Sequence, residues 1–271
     1  MRRAGPGLLL AALVLGAGCR EEKPAAPLSS LAPAPMAPLA ADPVDAGGPP
    51  DDALFRIAHA EVYGEEVPEK ALRLELAGES VRLAGEAFRP VNPGELARLT
   101  ERLRGKAVLV VPDADTFFAQ GSELLEALRD QAGEVWLKHP DAAVAYRLVL
   151  RDEDGFRAWL AEVAPGKLRI IQRSDGFELS TSVGKLPGAD PNGPSVPVRG
   201  GKQDIATLRK GLERLKGRFK TAEDICLVPS FGTEVAQAAR ALSGVYTAPG
   251  EPLFDTLCLV YPNPPRRSDG G

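Results

Sequence analysis

The chain has 271 residues, with 33 Lys plus Arg against 37 Asp plus Glu and a net charge of -4, a balance that argues against a nucleic-acid-binding surface, which shows as a basic excess. At 44% hydrophobic and 26% charged residues it reads as a globular chain, and its three cysteines are too few for a disulfide scaffold.

At the N-terminus Arg2 and Arg3 precede an apolar run, Leu8 to Leu15, closed by Gly16-Ala17-Gly18-Cys19. The run is far short of the roughly 20 residues that span a bilayer. The pattern therefore predicts a cleaved export signal over 1–19. Its close resembles the lipobox of bacterial lipoproteins, although Leu15 lies four residues before the cysteine where the family usually has Leu three before. The resemblance implies that Cys19 is lipidated and becomes the mature N-terminus, anchored to a bacterial membrane and facing the periplasm. Arg20 in place of Asp after the cysteine points to the outer membrane under the sorting rule of some such lipoproteins. A secretory peptide cut elsewhere, with Cys19 incidental, is the alternative.

Residues 20–52 are dominated by Ala and Pro, with almost no large apolar side chains. Such a stretch cannot bury enough surface to offset its ordering entropy, so a disordered tether is expected. The tail 263–271 is expected to be disordered as well. About 210 residues remain between them, enough for one large domain or two small ones.

An internal repeat organises those residues. Val108-Leu109-Val110-Val111-Pro112 superposes on Ile225-Cys226-Leu227-Val228-Pro229 at an offset of 117, from Pro112 to Pro229. At that offset Phe118, Gly121, Ser122, Leu125 and Leu128 fall opposite Val235, Ala238, Ala239, Leu242 and Val245, the spacing of one helical face. Upstream, Leu96, Leu99 and Leu103 recur as Ile205, Leu208 and Leu212, again with amphipathic helical spacing. Downstream, Val135-Trp136-Leu137 before His139-Pro140 corresponds to Cys258-Leu259-Val260 before Tyr261-Pro262, with the loop Thr247 to Pro252 absorbing the difference. Each copy opens on a hairpin. Leu72, Leu74 and Leu76 turn at Gly78 into Val81 and Leu83, and Leu168 and Ile170 turn at Asp175-Gly176 into Phe177 and Leu179.

The expected fold is therefore α+β: two tandem copies of a β-β-α-β-α-β unit, each a sheet with helices on one face. The first copy spans 53–140 and the second 167–262. The connector 141–166 holds a strand, Ala143 to Leu150, and a short helix, Gly155 to Val163.

This order resembles the periplasmic domain of the ExbD/TolR family of envelope energy-transduction proteins. The match rests on the Leu74 to Leu83 hairpin, the Leu96 to Leu103 helix, the Val108 to Asp113 strand with its acidic turn, and Gly121 to Leu128 with Val135 to Leu137. The second copy matches more loosely, with Ser230 in place of Asp113 and an insertion from Gly188 to Gly201. The family also has a membrane-spanning N-terminal helix whose aspartate takes part in proton flow, whereas Leu8 to Leu15 is short and free of acid. The resemblance thus implies the extracytoplasmic part alone, doubled on a tether. It implies partners among the proteins of an ExbB-ExbD or TolQ-TolR type system, or peptidoglycan, and a pseudo-dimer of the two copies within one chain.

No phosphate-cradling loop, paired-histidine zinc motif or Gly-x-Ser-x-Gly elbow is present in the sequence. No cofactor, metal site or catalytic residue is expected, and the chain reads as non-enzymatic. His139 near Asp141 and His59 near Glu61 are read as solvated loop imidazoles. Asp113 and Asp115 are read as capping the helix that follows. Cys226 and Cys258 lie in apolar, strand-like runs and are read as buried thiols, with a disulfide as the alternative. The run Arg98, Glu101, Arg102, Arg104, Lys106 reads as a wet helix face. The more basic segment Lys202 to Lys220 supplies the candidate partner-binding residues Lys210, Arg214, Lys216 and Arg218, which could meet acidic wall polymer or lipid headgroups; a solvated face is the plainer reading. The function expected is a lipid-anchored binding or scaffolding module of the cell envelope. A periplasmic hydrolase with an unrecognised site and a purely structural lipoprotein are the alternatives.

Overall fold

The computed structural model describes residues 61–162, 167–182 and 184–264. Cys19, the tether 20–52 and His59 lie outside the described residues, as does the tail from Pro265.

A two-residue strand β1 (Glu65–Glu66) leads into β2 (Leu72–Ala77) and β3 (Ser80–Leu83). Alternation puts Leu74, Leu76, Val81 and Leu83 on one buried face, and Gly78 takes φ 61° between the strands, where a side chain would be strained. β4 (Glu86–Phe88) extends the meander. Helix α1 (Pro93–Leu103) begins at Asn92, whose side-chain oxygen accepts from the Gly94 amide at 3.0 Å, with Pro93 in the first turn. It buries Leu99 and Leu103, each contributing about 1.5–3 kcal/mol of transfer free energy. β5 (Ala107–Val111), α2 (Ser122–Gln131) and β6 (Glu134–Lys138) follow. Phe118 is buried as its periodicity predicts, but in a turn ahead of α2, which starts only at Ser122.

The connector forms β7 (Val144–Arg151) and α3 (Glu153–Ala161). The second half runs β8 (Leu168–Arg173), β9 (Gly176–Thr181), β10 (Gly184–Lys185) and β11 (Val196–Pro197). Then come α4 (Ile205–Arg218), β12 (Asp224–Pro229), α5 (Val235–Leu242), β13 (Tyr246–Ala248), β14 (Glu251–Pro252) and β15 (Thr256–Val260). Gly176, at φ 141°, admits the close approach of β11, since a Cβ there would collide with the Val196 carbonyl.

One mixed sheet carries the order β4-β3-β2-β5-β6-β7-β15-β12-β8-β9-β10. In the first half β2 pairs antiparallel with β3 and parallel with β5, and β5 pairs parallel with β6. In the second, β8 pairs antiparallel with β9 and parallel with β12, and β12 pairs parallel with β15. β7 lies between β6 and β15, antiparallel to the first and parallel to the second. The two parallel blocks therefore run in opposite directions on either side of it.

Two expectations are corrected by this arrangement. Helices α1, α2, α4 and α5 share one core with Val108, Val110, Ile225 and Leu227, but α3 covers the other face, where Trp159 packs with Cys226, Cys258 and Val260. Successive strand residues point to opposite faces, so the apolar runs 225–228 and 257–260 need cover on both. The registers also set Leu109 opposite Trp136 and Cys226 opposite Cys258. Trp136 and Cys258 thus occupy the same step of their halves, one residue from the correspondence that periodicity suggests, and a one-residue slip exchanges the faces.

Candidate functional site

Asp204 caps α4, accepting from the Thr207 amide at 2.9 Å and the Thr207 hydroxyl at 2.8 Å, and it pairs with Arg199 at 3.1 Å. Ahead of it, the amide of each of Arg199 and Lys202 donates to the other's carbonyl, at 2.8 and 3.0 Å, across Gly200 and Gly201, both at positive φ. Two glycines in that conformation make a tight hairpin turn, and the turn holds Lys202 at the rim of a cleft of about 810 Å³ shared with Val62, Ile205 and Lys210. A neighbouring cleft of about 760 Å³ shares Asp141, Lys202, Gln203, Ile205 and Arg240 with it and adds Arg173, Ser230 and Gly232. Between those last two residues stands Phe231, 64% exposed.

Along α4 the apolar stripe Leu208, Leu212, Leu215 faces the core, and Lys210, Arg214 and Arg218 are exposed at four-residue spacing on the other side. None of these three cations, nor Lys202, pairs with a described carboxylate. Lys216 does not belong with them. Its amine donates to the Ala222 carbonyl at 2.5 Å and lies 5.2 Å from the centroid of the Phe254 ring, which ties it to the fold. The helical angle from Arg214 to Lys216 turns the lysine toward Ala222 and Phe254, away from the other three. Arg209, which sequence reasoning missed, is also committed inward: it donates to the carbonyls of Glu61 and Ser243 at 2.8 and 3.1 Å and stacks 4.4 Å from the Tyr63 ring.

In α1 the corresponding cations are ion-paired. Arg98 and Arg102 pair with Glu86 at 3.4 and 2.6 Å and lie over the Phe88 ring at 5.6 and 5.3 Å. Helices with the same apolar spacing thus present one face whose cations are paired and one whose cations pair with no described carboxylate.

The remaining predicted residues fall elsewhere. His139 is 3% exposed, not solvated: its Nδ1 accepts from the Asp141 amide at 3.1 Å. Burial, chiefly, holds its pKa below 6.5, with Arg240 and Lys138 acting in the same direction against Asp141. Asp141 pairs with Arg240 at 2.7 Å, and that bond holds its own pKa below 3.8. Asp113 does not cap α2, which starts at Ser122 with Gly121 as its N-cap and no side-chain cap bond. Its carboxylate accepts from the Gly78 amide at 2.7 Å and the Thr116 amide at 2.9 Å, tying the β5 turn to the first hairpin. Cys226 and Cys258 are both buried and joined as a disulfide, with Cα atoms 4.3 Å apart, so the thiol reading gives way.

Among the described residues, no group of three or more His, Cys, Asp or Glu side chains could hold a metal ion, and no helix is long and apolar enough to cross a membrane. The only sequence signals for the cleft were the Gly200-Gly201-Lys202 run and an aromatic set between Ser230 and Gly232. Neither carries a periodicity that places it. No family model matches the chain, and no curated protein matches it.

Proposed function

We propose that this chain is a non-enzymatic, lipid-anchored protein of a bacterial envelope, facing the periplasm, whose body is two tandem ExbD/TolR-like copies serving as a binding or scaffolding module without a proton-coupling helix. The observation that carries this reading is the contact between the halves. The Phe118 amide donates to the Thr233 carbonyl, and the Val235 amide to the Thr116 carbonyl, at 3.2 and 2.9 Å. Adding 117 to Thr116 and Phe118 gives Thr233 and Val235, so each bond is the image of the other. Such reciprocity is the mark of an isologous interface between like subunits. The matching strand order on either side of β7 supports the same reading of a pseudo-dimer folded from one chain. The Cys226–Cys258 bond fits an oxidising compartment.

The test is made in cells. Incorporation of labelled palmitate that disappears in Cys19→Ser supports the anchor. Crosslinking of the lipidated chain in membranes, followed by mass spectrometry, should recover stator or TonB-like subunits or cell-wall fragments. Absence of both label and such partners would overturn the reading.

A further inference from the structure

We propose that the outer face of α4 docks on an anionic phospholipid surface, with Lys210, Arg214 and Arg218 against headgroup phosphates and Phe231 at the acyl boundary. The inference rests on the reading of an envelope chain held near a membrane, and it names what the basic face meets there.

Three observations carry it. First, the cations of this face are unpaired where their counterparts are paired: Arg98 and Arg102 of α1 share Glu86 and cover Phe88, while Lys210, Arg214, Arg218 and Lys202 pair with no described carboxylate, the exposed Glu213 of the same helix included. In a chain of net charge -4, the exposed Lys210, Arg214 and Arg218 against the single exposed Glu213 leave a local excess on α4 opposite in sign to that of the whole. Second, they lie in a line. Eight residues of α-helix at a 1.5 Å rise set Lys210 and Arg218 about 12 Å apart, a spacing that meets a plane of phosphates rather than one small anion. Third, Phe231 stands 64% exposed, and its neighbours Ser230 and Gly232 line the cleft that Lys202 borders. An exposed ring gains nothing from a hydrated acidic polymer but gains transfer free energy at the headgroup–acyl boundary. An exposed ring beside the cleft that Lys202 borders therefore favours lipid over polymer.

The experiment uses the full chain as Cys19→Ser, so that no acyl group holds it, sedimented with vesicles of phosphatidylcholine alone or mixed with phosphatidylglycerol. The N-terminal apolar run is common to all variants, so differences between them read the face. Binding should be stronger with phosphatidylglycerol than with phosphatidylcholine alone, and that excess should weaken with added salt and fall about fivefold for each charge removed in Lys210→Gln, Arg214→Gln and Arg218→Gln. Phe231→Ser should weaken it further, whereas Arg157→Gln on α3 should not. Circular dichroism of each variant checks that the fold is kept. Undiminished binding in the triple variant overturns the proposal. Binding to soluble polyglutamate as strong as to vesicles, with no loss in Phe231→Ser, overturns it in favour of an acidic polymer. Palmitate labelling of the wild type separates the two readings: a labelled chain without the anionic preference sinks this inference alone, and an unlabelled chain that keeps the charge-dependent binding sinks the anchor alone.

Discussion

The amide of Val235 donates to the carbonyl of Thr116 at 2.9 Å, joining the first residue of α5 to the turn ahead of α2. The opposite bond, from Phe118 to Thr233, closes a two-bond bridge between segments distant in sequence. Val235→Pro isolates one of the two. Proline is favourable at the first position of a helix, and Glu234 before it already has φ -68° and ψ 144°, the conformation that precedes proline. The helix should persist while the Thr116 carbonyl loses its donor, at a cost of about 1–2 kcal/mol in urea unfolding. Val235→Ala, which keeps the amide, reports the packing part separately. Equal losses in the two variants would show that the bridge itself adds nothing.

Cys226 and Cys258 face each other on the neighbouring parallel strands β12 and β15, 32 residues apart in sequence, beneath Trp159. A loop of that length removes enough unfolded-state entropy to stabilise the fold by about 3–4 kcal/mol. Cys226→Ala combined with Cys258→Ala should lower stability by about that amount. In the unreduced wild type, neither of these two thiols should react with a thiol reagent even after unfolding. Reaction of both would contradict the bond.

Acid should destabilise the protein in two steps. His139 has a pKa held below 6.5 mainly by burial, so the unfolded chain takes that proton first. Stability is complete above 6.5 and falls as the pH drops below it. At Asp113 burial pushes the pKa up, but hydrogen bonds from the Thr116 side chain and from the Gly78 and Thr116 backbone outweigh it and hold the pKa below 3.8. Its contribution is present above 3.8 and is lost as the pH falls through its own lower pKa. Unfolding measured against pH should show His139→Gln flattening the fall that begins as the pH drops below 6.5, and Asp113→Asn flattening only the more acid limb. Slopes identical to the wild type in both variants would place these groups in water in the folded state.

Lys216 and Arg214 should respond in opposite ways. Lys216→Gln gives up the bond to Ala222 and the contact with Phe254, and should cost about 1 kcal/mol of stability while leaving vesicle binding unchanged. Arg214→Gln should do the reverse. Loss of binding in Lys216→Gln without loss of stability would return it to the docking face.

Local elements were legible because their signals are local. Leu99 with Leu103, and Leu208 with Leu212, announced α1 and α4 through helical spacing; Gly78 and Asp175-Gly176 announced the hairpins; and the repeated apolar run before Pro112 and Pro229 announced β5 and β12. Periodicity says which face of an element is buried, not which distant element covers it. The tertiary structure alone decided that β7 joins the two blocks, that α3 crosses to the far face over Cys226 and Cys258, and that Trp136 and not Val135 stands at the step of Cys258. It alone separated Lys216 from Arg214, since a lysine two residues along a helix can end on a ring or in water, and only the position of Phe254, set by packing remote in sequence, makes that choice.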